Sequence, residues 1–430
     1  MTGEQNHLDR RLERAARPDP PARERRPVQL VVGVDFGTTC TKIVARLPYE
    51  PGEPAFAVPA PRAIRAEDHP YLARSAVWLG ADGVFGLIER AGADPFTGFK
   101  ASLLGAFPAF GGVERPGPSA EELTTAYLTL QLRSAVGWLL LAHGDGALGK
   151  GELSWSWNFG FPAASLDDEA LASRYRRCAA AALDLVRRGE PVTLELIRQT
   201  LASFSGEQAG LFLERQNAHL VPEVAAAVVG FAHSAEREDE LFALVDVGGL
   251  TVDACTFNLV DRKSHGLRCG IFEARVEQLG VEAWKTCQRE PNGPIQFEKK
   301  FDEMVRAVIW DTRVKRNPRS RRWRDGLPLF ETGGGIASTM HRERIRALDQ
   351  WLRDNSAQGG GVYVRSLPPA KSLVADLCRP DTLHRLAVAV GLSLPNVWVP
   401  EVWLPRHISD HQASPATPSC EDRYISKDHV

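Results

Sequence analysis

Two segments of the chain share one pattern of apolar and polar positions. The apolar run at residues 31–34 leads to Asp35, and the run at residues 241–245 leads to Asp246. Short apolar runs rich in β-branched residues are typical of buried strands. In both segments glycine follows shortly after the aspartate, and a second apolar stretch then begins. The pattern therefore predicts two strand–turn–strand hairpins of the same design.

Between the hairpins the apolar spacing changes to that of helices. Ser119–Leu141 begins with Ser-Ala-Glu-Glu, which is similar to a capping box, and continues with helical spacing. Asp167–Arg187 predicts a second helix. Ser154–Pro162 alternates and then turns, which indicates a third strand of the first half.

The turn residues suggest what the two hairpins bind. Glycine lets a backbone approach a phosphate where a Cβ would collide, and turn N–H groups, threonine hydroxyls and a lysine suit phosphate oxygens. A single hairpin could be an ordinary Asp-Gly turn, but repetition of the whole pattern disfavours that alternative. We expect Mg-ATP held between two related halves, with these candidate contacts: Gly37, Thr38, Thr39, Lys42, Gly248, Gly249, Thr251 and Asp253.

These segments resemble the motifs of the actin-like ATPase superfamily, which includes actin, plasmid-segregation filament proteins, the seventy-kilodalton heat-shock chaperones and several sugar kinases. VGVDFGTTCTKI is similar to its first phosphate motif and VDVGGLTVD to its second. LPLFETGGGIAST is similar to its adenosine motif, with glycines at a strand-to-helix junction: Gly333, Gly334 and Gly335. Residues 220–229 and 384–394 are similar to its two crossing helices.

The resemblance implies an α/β fold of duplicated ribonuclease-H-like lobes around a central nucleotide cleft. On this basis residues 28–235 form the first lobe with its crossing helix. Residues 236–394 form the second lobe, with a second crossing helix and a reduced outer subdomain. Residues 1–27, rich in Arg and Pro, are expected to be a disordered leader. Residues 395–430 are a tail too short for a chaperone's substrate-binding β-sandwich.

The resemblance also assigns roles to individual residues. Asp35 and Asp246 would hold Mg²⁺ through water, and both would serve catalysis with Glu223. Glu223 would orient the attacking water, with Asp253 supporting that end of the site. The alternative for Glu223 is a solvated acid in the first turn of a helix, where the helix dipole favours it.

The implied activity is slow ATP hydrolysis by a chaperone-like regulatory ATPase that uses nucleotide-dependent lobe closure. An actin-like filament protein, and hence self-assembly, is the alternative; a small-molecule kinase is weaker, because such kinases usually lack the DxGGxTxD form. Leu250 stands where the chaperones commonly have a third glycine, which leaves the phosphate contacts and the rate open. Arg313, Lys315 and Arg316 are candidates for contacts with adenosine or, alternatively, a solvated helix end.

Composition adds limits to this interpretation. The 430 residues have a formal net charge of -2, and 43% are hydrophobic, which describes a globular protein and not a general polyanion binder. The only strong basic run, residues 313–324, is interpreted as a solvated loop and not as a nucleic-acid site. Seven cysteines without CxxC pairs favour reduced thiols and a cytoplasmic location.

The expected partners are ATP or ADP and a client protein, with no membrane, since the apolar runs are too short to span one. Residues 395–405 are too apolar for a free tail. We expect this segment either to pack on the first lobe or to sense lobe closure.

Overall fold

The computed structural model describes residues 3–16, 26–66, 69–103, 117–144, 146–162, 168–234, 236–262, 266–368, 372–377 and 379–408. These residues form an α/β fold with two mixed sheets and a third, three-stranded sheet. The expectation of an α/β fold is confirmed.

The helices and strands follow one another along the described ranges. The helices are α1 Gly3–Ala16, α2 Phe99–Leu103, α3 Ala120–Ala142, α4 Ala147–Lys150, α5 Glu169–Arg188, α6 Leu194–Ala202, α7 Gly206–Arg215, α8 Glu223–Ala232, α9 Val281–Cys287, α10 Gly293–Asp311, α11 Arg322–Asp325, α12 Thr339–Asn355 and α13 Ala387–Leu392. The strands are β1 Pro27–Phe36, β2 Cys40–Arg46, β3 Ala55–Ala57, β4 Ala73–Arg74, β5 Ala76–Leu79, β6 Phe85–Gly86, β7 Asp94–Thr97, β8 Glu152–Phe161, β9 Ala218–Pro222, β10 Leu241–Val247, β11 Val252–Arg262, β12 Gly266–Glu277, β13 Leu327–Thr332, β14 Val362–Arg365, β15 Leu373–Val374 and β16 Glu401–Trp403.

The two large sheets repeat one arrangement of five strands. In the first sheet β3, β2, β1, β8 and β9 are neighbours in that order; β1 pairs antiparallel with β2 and parallel with β8. In the second sheet β12, β11, β10, β13 and β14 are neighbours in that order; β10 pairs antiparallel with β11 and parallel with β13. Each predicted hairpin therefore occupies the same place in its own sheet.

Each large sheet gains one further edge strand from the last part of the chain. β15 pairs with β3 of the first sheet, and β16 pairs with β12 of the second, both in parallel. The chain leaves the second sheet after β14, joins the edge of the first at β15, and returns to the second at β16. The late segments therefore contribute an edge strand to each of the two sheets.

The predicted elements of the first half form because local signals and burial agree. Ser119 caps α3 with a complete capping box, in which Glu122 reaches back to the Ser119 N–H. Asp168 caps α5, which ends at Gly189 with φ +71°, a conformation that glycine adopts without strain. The predicted strand at residues 154–162 corresponds to β8, whose last six residues are buried.

Helix α8 connects the first sheet to the core of the second, and helix α13 packs against both sheets. α8 follows β9 of the first sheet and packs in a cluster with Phe242 and Phe330 of the second. α13 lies close to β1, because a Cβ on Gly33 would be 2.5 Å from the Ala389 carbonyl oxygen. The predicted second crossing helix at residues 384–394 is only partly α-helical, since a 3₁₀ segment, Pro380–Leu386, precedes α13.

One expectation about the ends of the chain is wrong. Residues 3–16 are not a disordered leader: they form α1, which packs on α3 with Leu8 buried and Arg11 donating from Nη1 to the Pro59 carbonyl at 2.8 Å. Arg-rich composition masked the apolar face that allows this packing. The segment after residue 395 contacts both halves: Trp398 packs against Tyr49 with ring centroids 6.5 Å apart, whereas β16 extends the second sheet and Leu404 enters its core with α8. The role in sensing lobe closure stays a prediction.

Candidate functional site

The first hairpin places a carboxylate and an ammonium opposite each other at its tip. Asp35 on β1 faces Lys42 on β2 in the strand register, and Lys42 Nζ lies 2.8 Å from Asp35 Oδ2. The turn closes where the Gly37 N–H donates to the Cys40 carbonyl at 3.2 Å. Burial is the largest single effect on Lys42 and disfavours its charged form, but the charge and hydrogen bond of Asp35, together with the charges of Cys40 and Asp246, raise the Lys42 pKa overall.

The second hairpin repeats this geometry with different charges. Asp246 on β10 faces Asp253 on β11, and the Gly248 N–H donates to the Thr251 carbonyl at 2.9 Å. Each turn is thus closed by the glycine two residues after the aspartate. An aspartate stands here where the first hairpin has Lys42, so the second tip carries two carboxylates and no cation of its own.

The two tips touch each other. A Cβ built on Gly249 would lie 2.4 Å from Thr39 Oγ1, so only glycine allows this approach. The Ser75 hydroxyl donates to the Gly37 carbonyl at 2.7 Å and steadies the first tip. In the described part of the chain the N–H groups of Thr38, Thr39 and Gly249 have no acceptor. Such free N–H groups at a turn suit an anion.

The acids of the second tip are strongly perturbed. Burial raises the Asp246 pKa to about 6, aided by the charges of Asp35 and Glu223 and opposed by Lys42. Burial also raises the Asp253 pKa well above its ordinary value, with Glu223 and Asp246 adding to the effect. Clustered acids with raised pKa values are typical of functional sites and of cation sites.

Glu223 begins α8, directly after β9, and joins this cluster. Its Oε1 lies 2.9 Å from Lys100 Nζ, and Lys100 is only 5% exposed. Glu223 also lies against Gly160 near the end of β8, where a Cβ would be 3.1 Å from the Glu223 Cγ. Glu223 is therefore not the solvated first-turn acid of the alternative interpretation.

Lys100 is the residue that sequence reasoning missed. It belongs to the short helix α2 and lies over the Phe36 ring with Nζ 5.6 Å from the ring centroid. The only signal available was a lysine beside an aromatic residue in Gly-Phe-Lys, which is too common to select it. Its importance depends on burial against Glu223, a partner 123 residues away.

The three glycines meet the second hairpin. β13 ends at Thr332, a 3₁₀ turn covers Gly334–Ala337, and α12 begins at Thr339, so the predicted strand-to-helix junction is confirmed. Gly333 has φ +86°, and a Cβ there would lie 2.2 Å from Asp246 Oδ1. At Gly334 a Cβ would meet the Arg385 guanidinium. These glycines therefore let the backbone approach the side chains of Asp246 and Arg385 closely.

The basic run after α10 is largely occupied by ion pairs elsewhere. Arg316 Nε lies 3.0 Å from Glu273, and Lys315 lies 3.0 Å from Asp311. Arg321 and Arg322 pair with acids at residues 238–240. The structure brings Asp35, Lys42, Glu223, Asp246 and Asp253 together, but it engages these basic side chains with acids outside that cluster.

Comparison of the sequence with protein-family models finds no match, and comparison with curated proteins also finds none. Among the described residues no helix is long and apolar enough to cross a membrane.

Proposed function

We propose that this protein is a chaperone-like regulatory ATPase of the actin-like fold, with two ribonuclease-H-like lobes that close on Mg-ATP. Two sheets with the same strand order and senses support the duplication, as do helix α8, which follows the first sheet and packs on the second, and helix α13, which packs against both. The main observation in support is that the two equivalent hairpin tips meet beside Glu223. Neither a filament nor a small-molecule kinase has a specific contact in its favour.

The residues present fit a nucleotide's phosphates. Lys42 and the free N–H groups at both tips would contact the β- and γ-phosphates, with the hydroxyls of Thr38, Thr39 and Thr251 nearby. Gly37, Gly248 and Gly249 keep the tips free of Cβ atoms. Because Thr39 now lies against Gly249, phosphate binding requires the tips to separate or Thr39 to rotate.

The same site suits a water-retaining cation. Asp35 and Asp246 would hold magnesium through water, and the ion would neutralise charge on the phosphates. In the described ranges no group of three or more His, Cys, Asp or Glu could hold a metal by itself, so the remaining ligands would be water and phosphate oxygens. The adenosine would lie along Gly333, Gly334 and Gly335, beside Arg385.

Hydrolysis would depend on Glu223 and Lys100. Lys100 holds one carboxylate oxygen of Glu223, and the other oxygen can accept a hydrogen bond from a water aimed at the γ-phosphate. The rest of catalysis is positioning and charge stabilisation, which such a site can provide without a covalent step. We expect a slow turnover.

Glu223→Gln tests this assignment. The variant should bind Mg-ATP with nearly wild-type affinity in calorimetry, while single-turnover hydrolysis falls at least 100-fold, because general-base effects are typically about 10²–10⁴-fold. Glu207→Gln is the matched control: Glu207 is also a first-turn acid, but it is exposed on α7. Wild-type hydrolysis in Glu223→Gln would overturn the catalytic role, and no heat with Mg-ATP in the wild type would overturn the proposed function.

A further inference from the structure

A second feature is a cavity of about 810 Å³ beside helices α8 and α13, which borders the second hairpin where Thr332 pairs with Asp246. We call it the helix-side cavity. Ala227 and Gly230 line it from α8, Ala387 and Val390 line it from α13, and Leu373 lines it from the segment that joins the two sheets. Its size is within the usual range of small-molecule sites, and its long walls are apolar.

Gly230 leaves space in the cavity that no protein atom uses. It lies inside α8, where glycine costs about 1 kcal/mol relative to alanine. A Cβ at this position would meet nothing within 4 Å, and its φ is not positive, so neither packing nor backbone conformation requires glycine. By contrast, Gly391 on α13 is required, because a Cβ there would collide with the Ala226 carbonyl.

Arg46 supplies a positive charge at one end of the cavity. Its side chain is buried, with Nε donating to Ser393 Oγ at 3.3 Å and Nη1 to the Glu53 carbonyl oxygen at 3.1 Å. Within the described ranges Arg46 lies within ion-pair distance of no carboxylate, although Glu53 and Glu331 also line the cavity. Burial lowers the Arg46 pKa, opposed by the Glu53 charge. Because the Glu53 and Glu331 carboxylates form no ion pair with it, the buried guanidinium can still bind an anionic ligand.

The two observations define the shape and charge of a ligand. Arg46 bonds to Ser393, just beyond the end of α13, whereas Thr332 lines the cavity near the start of that helix. The wall that α8 contributes between Ala226 and Phe231 is about 8 Å long, at about 1.5 Å per residue, and the chain beyond α8 extends it through His233 and Ser234. We propose that the helix-side cavity binds a linear amphiphile with an anionic head, with its head on Arg46 and its chain along α8 and α13.

Calorimetry of the full chain without nucleotide tests this, with decanoate, decanol and decyltrimethylammonium as probes below their micelle concentrations. Decanoate should bind with one site per chain, at least tenfold tighter than either of the other two. Because no nucleotide is present, this result is independent of the proposed ATPase function. Absence of saturable decanoate binding, or equal affinity for decanol, would overturn the proposal.

Two pairs of variants locate the site. Gly230→Leu should fill the cavity and weaken decanoate at least tenfold, whereas Gly210→Leu, at an equally open helix position on α7, should bind as the wild type does. Arg46→Gln should remove the preference for decanoate over decanol, and Arg46→Lys should retain it. Wild-type binding by Gly230→Leu would contradict the site. If Arg46→Gln does not fold, the comparison of Gly230→Leu with Gly210→Leu and the relative affinities of the three probes still test the proposal.

Discussion

At the hairpin tips, burial disfavours the ionised forms of the acidic side chains. Asp246 has a pKa near 6 because burial penalises its carboxylate, yet a magnesium site needs that carboxylate ionised. Between the ordinary value of 3.8 and about 6 the folded protein binds more protons than the unfolded chain at this position. The contribution of Asp246 to stability is therefore present below pH 3.8 and is lost as the pH rises through 6.

The raised pKa of Asp246 leads to a prediction for nucleotide binding. The affinity for Mg-ATP should rise as the pH increases from 5 to 7, because protonated Asp246 must lose its proton to face the ion. Calorimetry at a series of pH values measures this. Asp246→Asn should bind weakly at every pH, whereas Asp261→Asn, an exposed acid on β11, should keep the wild-type profile. A flat wild-type profile would remove Asp246 from the cation site.

Lys100 and Glu223 form the second test at the level of single residues. Lys100→Met should lower the free energy of unfolding by about 3 kcal/mol, because Glu223 would then be left largely buried without its cation. Adding Glu223→Gln should recover most of that loss without restoring hydrolysis. Denaturant unfolding of the two single variants and the double variant measures the coupling. Purely additive losses would show that the pair does not act as a unit.

At the level of elements, the contact between α8 and α13 sets how the two sheets are held. Gly391 allows it, because a Cβ there would lie 1.8 Å from the Ala226 carbonyl oxygen. Gly33 does the same between α13 and β1. Both glycines stand where two backbones approach closely, so their small size, and not flexibility, is what the fold uses.

Gly391→Ala should therefore destabilise the protein by about 1–3 kcal/mol, since the helices must move apart to accept the methyl group. Gly210→Ala should instead be neutral or stabilise by up to about 1 kcal/mol, because α7 has open space there and alanine is the better helix former. Chemical denaturation of both variants provides the comparison. Equal stability of the two would mean that the crossing is not tightly packed.

At the scale of the whole molecule, the chain after α13 is part of the second sheet's core. Leu404 is 7% exposed and packs in the cluster that contains α8, whereas Val397 in the same segment is 83% exposed. Arg268 pairs with Glu401 at 2.7 Å where β12 meets β16. A lobe movement driven by nucleotide would have to carry this segment with the second sheet.

Leu404→Ala should accordingly lower stability by about 2–5 kcal/mol, the usual range for a buried leucine. Val397→Ala should leave it within about 0.5 kcal/mol of the wild type, as for exposed positions. Thermal and urea unfolding of both variants test this. If Leu404→Ala is as stable as Val397→Ala, the segment is only loosely attached, and state-dependent exposure of residues 395–408 becomes the better hypothesis.

The sequence by itself determined the local elements whose signals are local. The apolar runs, the glycines after each aspartate and the Ser119 capping box predicted both hairpins and α3, because strand burial, turn closure and capping depend on residues within a few positions. The strand-to-helix junction at Gly333–Gly335 was predictable for the same reason. The resemblance to actin-like ATPases predicted how these elements follow one another along the chain. The function that it implies is a proposal.

Only the tertiary structure decided how distant residues meet. Contacts across more than a hundred residues bring together Lys100 and Glu223, Thr39 and Gly249, β15 and β3, and β16 and β12, and no local pattern encodes them. Burial then changes the chemistry of what meets: it raises the Asp246 pKa and leaves Arg46 beside an apolar cavity. The sequence named the groups at the two tips, but the low polarity of a shared interior gives them their properties.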